Sequence, residues 1–273
     1  MGFFSWLFKR KKSVTYKLGL ALGSGGAKGF AELGALKAFE ENDVSFDIIA
    51  GTSIGSIIGA FYADGYSSTD IAELLKRVDF GEIKTLFMIN MDTSGMFKVI
   101  DRTLGSKNIE ELKKPFMTVA TEVESGTETV FDKGSVALAL CASSSYPPFF
   151  KPVVIDGKRY VDGAFTNSIP ADLVKNMGAD YVVGIDLSTH EKKQSLLSRI
   201  IPTYKGGVDE PWKKGYEFSD IMLHPDLSAF KPTSIGEANK MYEIGYECAI
   251  KHMPQIKKDI EDLSSRKKKK RKN

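Results

Sequence analysis

Cysteine is scarce. The 273 residues hold two, Cys141 and Cys248, far apart and in no metal-ligand spacing. That excludes a disulfide framework and fits a reducing compartment. The three histidines, His190, His224 and His252, are scattered, which argues against a zinc site. The apolar start, Met1 to Phe8, is far too short to cross a bilayer, which takes about 20 residues. Acidic residues are missing from both ends. Residues 1–12 and 266–273 contain none, yet they carry eleven of the 38 basic residues. The body between them has 27 basic against 35 acidic side chains, so an acidic globule lies between two basic ends.

The N-terminal end pairs Phe3, Phe4, Trp6 and Phe8 with the cluster Lys9 to Lys12. A secretory signal has its charges before the apolar run, and here they follow it. Gly2 suggests myristoylation, but Trp6 stands where that signal wants Ser or Thr. Aromatics followed by lysines suit a bilayer interface with anionic headgroups. The run Arg266 to Lys272 is expected to be a disordered tail. Nucleic acid is a second possible partner for it. Beside the aromatic N-terminus an anionic membrane surface fits better, and no specific nucleic acid is expected. The expected division is a membrane-proximal segment 1–12, a catalytic body 13–265 and a tail 266–273. The expected location is cytoplasmic and peripheral to the membrane. Nothing in the sequence sets an oligomeric state.

What is present is ordinary core material, 42% hydrophobic, enough for one large α/β domain or two small ones. The informative stretch is Asp47 to Gly55. Ile48, Ile49 and Ala50, with Phe46 before them, read as a short buried strand. Gly51-Thr52-Ser53-Ile54-Gly55 follows, and Ile54 to Ala63 reads as a helix. Strand, Gly-x-Ser-x-Gly turn and helix form the context of an exposed serine nucleophile. Gly51 and Gly55 relieve crowding in such a turn, and the helix N-terminus favours developing negative charge at Ser53.

Upstream, Tyr16 to Leu22 reads as the first strand, and Phe30 to Asn42 as a helix with Leu33, Leu36 and Phe39 inward. Between them lies Gly23-Ser24-Gly25-Gly26-Ala27-Lys28-Gly29. Such a turn presents backbone N–H groups to an anion. Lys28 is followed by Gly29-Phe30, which breaks the Walker A pattern, and the Gly-x-Gly-x-x-Gly spacing is absent. An oxyanion hole fits better, because two parallel strands of a βαβ unit deliver both turns to one sheet edge.

Farther on, Pro115 to Thr121 and Glu128 to Phe131 read as paired strands, and Val136 to Ser143 as a small-residue helix. Asp156-Gly157 reads as a hairpin turn before Tyr160-Val161-Asp162-Gly163-Ala164. On its own Asp162 is an ordinary turn-forming aspartate. Tyr181 to Leu187 reads as a buried strand, residues 188–219 as a mobile loop or lid, and Ile221 to Leu223 as a last strand. Helices are expected over Ile235 to His252 and Pro254 to Leu263. The Met- and Phe-rich residues Phe87, Met88, Met91, Met96 and Phe97 suit a core or an apolar wall for acyl chains.

Taken in order, Gly-Gly-Ala-Lys-Gly, Gly-Thr-Ser-Ile-Gly and Asp-Gly-Ala resemble the patatin-like phospholipase family over roughly residues 16 to 250. The stretch Pro147-Pro148-Phe149-Phe150-Lys151-Pro152 before Asp162 adds to the likeness. Ser24 replaces the usual first glycine and Ala164 a frequent one, but neither change removes a backbone N–H. The resemblance implies a three-layer α/β/α fold with a central, mostly parallel sheet. It implies a lipid or lysolipid acyl hydrolase that needs no metal and no cofactor. By that resemblance Ser53 is the nucleophile and Asp162 its general base. Gly25 and Gly26, within the loop that runs on through Ala27, Lys28 and Gly29, hold the oxyanion.

Two rivals stand beside this reading. One is an α/β-hydrolase with a Ser–Asp–His triad, since all three histidines follow Asp162. Only one strand and one helix precede the Ser53 strand, however, where that fold has more of its sheet. The other is a catalytically weak membrane-associated scaffold that keeps the fold.

Overall fold

The computed structural model describes residues 16–77, 92–188 and 208–270, with side chains through residue 265. The N-terminal segment 1–12, Phe87, Met88, Met91 and His190 lie outside the described residues. So does most of the expected lid.

The strands are β1 (Leu18–Leu22), β2 (Ile48–Gly51), β3 (Phe116–Glu122), β4 (Glu128–Phe131), β5 (Val153–Ile155), β6 (Lys158–Asp162), β7 (Tyr181–Ile185) and β8 (Ile221–Leu223). They form one sheet in the order β5-β6-β3-β2-β1-β7-β8, with β4 also paired to β3. From β3 to β8 the pairings are parallel; β4, β5 and β6 add an antiparallel wing. The helices are α1 (Phe30–Glu41), α2 (Ile54–Ala63), α3 (Ser68–Arg77), α4 (Ser94–Leu104), α5 (Val136–Ser143), α6 (Ala171–Asn176), α7 (Lys213–Phe218) and α8 (Ala238–Lys270).

The central strands are apolar throughout because both faces are covered, as parallel sheets require. Leu18, Leu20 and Leu22 point into a large core with Leu33, Leu36 and Phe39 of α1 and Met241, Ala249 and Ile256 of α8. Ala21, Ile48 and Ala50 face the other way, onto Ile169, Ala171 and Val174. Helix, sheet and helix layers follow directly. Met96 and Phe97 pack partly buried against the first core.

The cap of α3 is Ser67, whose Oγ accepts the Asp70 N–H. Two expectations change. Within the expected lid, residues 213–218 form α7, because Trp212 and Phe218 pack against the second core. The two expected C-terminal helices are one, and it continues through Pro254 to Lys270. Five residues of the supposedly disordered tail therefore extend a helix. Proline removes one backbone hydrogen bond, but Ala249, Met253 and Ile256 bury the α8 face on both sides of it.

Helices α1 and α8 cross at glycines. A Cβ on Gly34 would run into the Tyr242 carbonyl, and one on Gly245 into the Ala31 carbonyl. Gly245→Leu is therefore expected to destabilise the fold by about 1–3 kcal/mol through overpacking. Urea denaturation measures this, and an unchanged midpoint would contradict so close a crossing.

Candidate active site

Leu22, the last residue of β1, lies opposite Gly51 of β2 and Ile185 of β7. Three chain segments therefore leave the sheet at one edge: the glycine loop, the serine turn and Asp186 to Ser188. Ligands of open α/β sheets bind at such carboxyl edges. β6 runs antiparallel to β3 and brings Asp162 opposite Ala120, two residues past the Thr118 that pairs with Gly51. The wing thus returns a carboxyl group to the edge where the serine emerges.

Ser53 has φ 56° and ψ −123°, a left-handed conformation that is costly for a residue with a side chain. The surroundings hold it there. Its N–H donates to Ser143 Oγ at 2.9 Å, and its carbonyl accepts from Ser56 Oγ at 2.6 Å. The turn packs directly on β1, with the Thr52 N–H on the Leu22 carbonyl at 3.1 Å. A Cβ on Gly55 would lie 2.6 Å from the Leu22 and Gly23 carbonyl oxygens, so only glycine fits.

Ser53 Oγ donates to Asp162 Oδ2 at 2.7 Å, across 109 residues of sequence. The other carboxyl oxygen, Oδ1, accepts the Ala164 N–H at 2.8 Å. The Asp162 backbone is fixed too, with its N–H on Ser145 O and its carbonyl on Thr121 Oγ1. Asp162 is 1% exposed. Burial pushes its pKa up to about 7, against the smaller lowering effects of the Ser53 and Ala164 hydrogen bonds.

The glycine loop is partly committed. Ser24 N–H donates to Ser168 O, Ala27 N–H to Pro232 O and Lys28 N–H to Gly25 O. Among the described residues no hydrogen bond is drawn from the Gly25 or Gly26 N–H groups. Gly26 has φ 59°. Gly26–Gly29 form a short 3₁₀ turn that leads into α1, and Lys28 is buried.

A family model for patatin-like phospholipases matches residues 20–175, more than half of the chain. The chain belongs to the patatin-like phospholipase family.

Curated relatives agree. Patatin-like phospholipase domain-containing protein 6 of Mus musculus is 26% identical over 278 residues, covering 84% of this chain and 20% of the relative. Lysophospholipase nte1 of Aspergillus fumigatus is 24% identical over 283 residues, covering 89% and 18%. The chain spans about a fifth of the length of these relatives. The crystal structure of VipD from Legionella pneumophila shares the fold, with a TM-score of 0.58 and 13% identity over 89% of this chain and 68% of that one.

In this patatin-like chain the sequence-expected Ser53 and Asp162 meet, with Gly51, Thr52, Ile54 and Gly55 forming the turn and Gly163 and Ala164 following the aspartate. His224 and His252 make other contacts. His224 Nδ1 lies 3.3 Å from Asp186 Oδ2, and His252 Nδ1 lies 2.7 Å from the Cys248 carbonyl one helical turn earlier. Sequence reasoning missed Ser143, Tyr146 and Glu32. Ser143 ends a helix of small residues and gave no signal. Tyr146 stacks on Phe165 at 5.1 Å, and burial, then the charge of Asp162, raises its pKa. Glu32 did leave a trace, because it shares the inward face of α1 with Leu36 and Phe39.

The raised pKa of Asp162 has a stability consequence. A carboxyl that holds its proton more tightly in the folded state contributes stability below its unfolded pKa, near 3.8. That contribution is lost as pH rises through about 7. Asp162→Asn, neutral throughout, is therefore expected to gain Tm relative to wild type as pH goes from 5 to 8. A gap that stays constant across that range would contradict the desolvated carboxyl.

Proposed function

We propose that this chain is a serine esterase that hydrolyses acyl esters of phospholipids or lysophospholipids through a Ser53–Asp162 dyad. The observation that carries the reading is the 2.7 Å hydrogen bond from Ser53 Oγ to a buried carboxyl whose basicity burial has raised. The name of the Aspergillus relative, a lysophospholipase, supports the substrate class.

The chemistry follows the geometry. Asp162 takes the Ser53 proton as Oγ attacks the ester carbonyl. The carbonyl oxygen becomes an oxyanion, and the uncommitted N–H groups of Gly25 and Gly26 receive it. One such donor is worth about 100- to 1000-fold in kcat. The N-terminus of α2, which begins at Ile54, adds a favourable field. Collapse expels the alcohol, which takes the proton from Asp162 and leaves an acyl-Ser53. Water then attacks the acyl group, Asp162 accepts its proton, and fatty acid leaves as Ser53 regains its hydrogen.

Among the described residues no helix is long and apolar enough to cross a membrane. Access to lipid is assigned to the basic ends, which bring the acidic body to an anionic cytoplasmic surface. Phe3, Phe4, Trp6 and Phe8 are the inserted residues in this reading.

Three measurements test the proposal. Wild type is expected to release free fatty acid from mixed phospholipid and lysophospholipid vesicles, and Ser53→Ala to release none above background. Equal release from both rejects the dyad; no release from wild type, together with no labelling of Ser53 by a fluorophosphonate, favours a scaffold. Next, kcat/KM is expected to rise with pH through about 7, as Asp162 ionises, and then level off. A flat profile would remove Asp162 as the base. Finally, deletion of residues 1–12 and 266–273 is expected to abolish binding to anionic liposomes at low salt while hydrolysis of a soluble ester persists. Unchanged binding would rule out the ends as the anchor.

A further inference from the structure

Glu32 is a charged residue type in the middle of the core. It is 0% exposed, on the inward face of α1. Oε1 accepts the Gly23 N–H at 2.7 Å, and Oε2 has no hydrogen-bond partner among the described residues. Gly23 is the first residue after β1 and the first of the glycine loop. Its peptide is wedged on three sides. Its carbonyl abuts Gly55 of the serine turn, where a Cβ would come within 2.6 Å. Its Cα faces the Ile185 carbonyl, again 2.6 Å from where a Cβ would stand. Its N–H goes to Glu32.

We infer that Glu32 is a positioning residue for the proposed esterase: its carboxyl pins the Gly23 peptide between the serine turn and β7, and so sets the Gly25 and Gly26 N–H groups against Ser53. The inference rests on the esterase reading for its chemistry but not for its geometry. A side chain with no polar acceptor would leave a buried N–H unpaired at the root of the loop, a cost that the loop escapes by shifting.

The charge state matters as well. Burial is the main cause that holds the Glu32 carboxyl well above the usual carboxylate range; the Gly23 hydrogen bond opposes it, and the nearby Asp186 pushes the same way as burial. A carboxyl held toward its neutral form keeps an oxygen for the Gly23 N–H and places less negative charge behind a loop that must receive another. Asp186 accepts from Ser188 N and from Tyr216 Oη, and it lies beside His224.

The test compares Glu32→Gln and Glu32→Ala with wild type, by steady-state hydrolysis of a soluble ester and by amide exchange along the chain. Gln keeps the acceptor and the neutrality, so kcat is expected within about threefold of wild type, with unchanged exchange in residues 23–29. Ala is expected to lower kcat about 10- to 100-fold with KM within about twofold, the cost of misplaced donors. Exchange should quicken in residues 23–29 while α1 and α2 keep their protection. Equal losses in Gln and Ala, or exchange that quickens across α1 and α2 alike, would make Glu32 a packing residue and overturn the inference. An Ala variant that matches wild type in both readouts would overturn it too. A wild type without hydrolysis, whose loop exchange still follows Glu32, would defeat the esterase reading and leave the positioning intact.

Discussion

The site depends on the register between β1 and β2. Because Leu22 lies opposite Gly51, the glycine loop and the serine turn leave the sheet side by side, and the turn rests directly on the last peptides of β1. A slip of one residue would turn the side chains of β2 to the opposite layer and carry Ser53 away from the loop. The register is secured by burial on both faces. Leu20 and Ala21 are neighbours in sequence, both fully buried, in different cores.

The antiparallel wing solves a different problem. An aspartate in water is too weak a base to take a proton from serine. Here it is brought back along β6 into a dry site, held by Ala164 N–H on one oxygen and Ser53 Oγ on the other. Desolvation disfavours its charged form and thereby strengthens it as a base. In the proposed reaction this takes the place of a histidine, and His224 and His252 are engaged elsewhere. The left-handed backbone of Ser53 belongs to the same arrangement: a strained residue persists only where its neighbours over-determine it, and Ser143, Ser56 and the β1 carbonyls do so.

The periphery serves that centre. The close glycine crossing of α1 on α8 brings the long C-terminal helix against the layer that carries the glycine loop. Pro232, just before α8, accepts the Ala27 N–H, so the loop's downstream end is tied to the last part of the chain while its upstream end is tied to Glu32. The two N–H groups without a partner among the described residues lie between these ties.

Much of this was legible in sequence. Short-range patterns determined the strand–glycine loop–helix unit, the strand–serine turn–helix unit, the hairpin at Asp156-Gly157 and nearly every central strand, because turn chemistry and apolar runs act over a few residues. The ordered motifs pointed to Ser53 and Asp162. Local rules failed at Pro254 and at α7, where burial against distant residues outweighed a helix breaker and a polar composition. Only the tertiary structure decided which N–H groups of the loop are uncommitted, that Asp162 is dry, and that Ser143 and Glu32 support the site. The dyad and the Ser143 contact join segments 109 and 90 residues apart, and Glu32 reaches back 9 residues to Gly23 from another element. Sequence fixes which groups exist; the packing of the layers decides which of them lose water and which find partners.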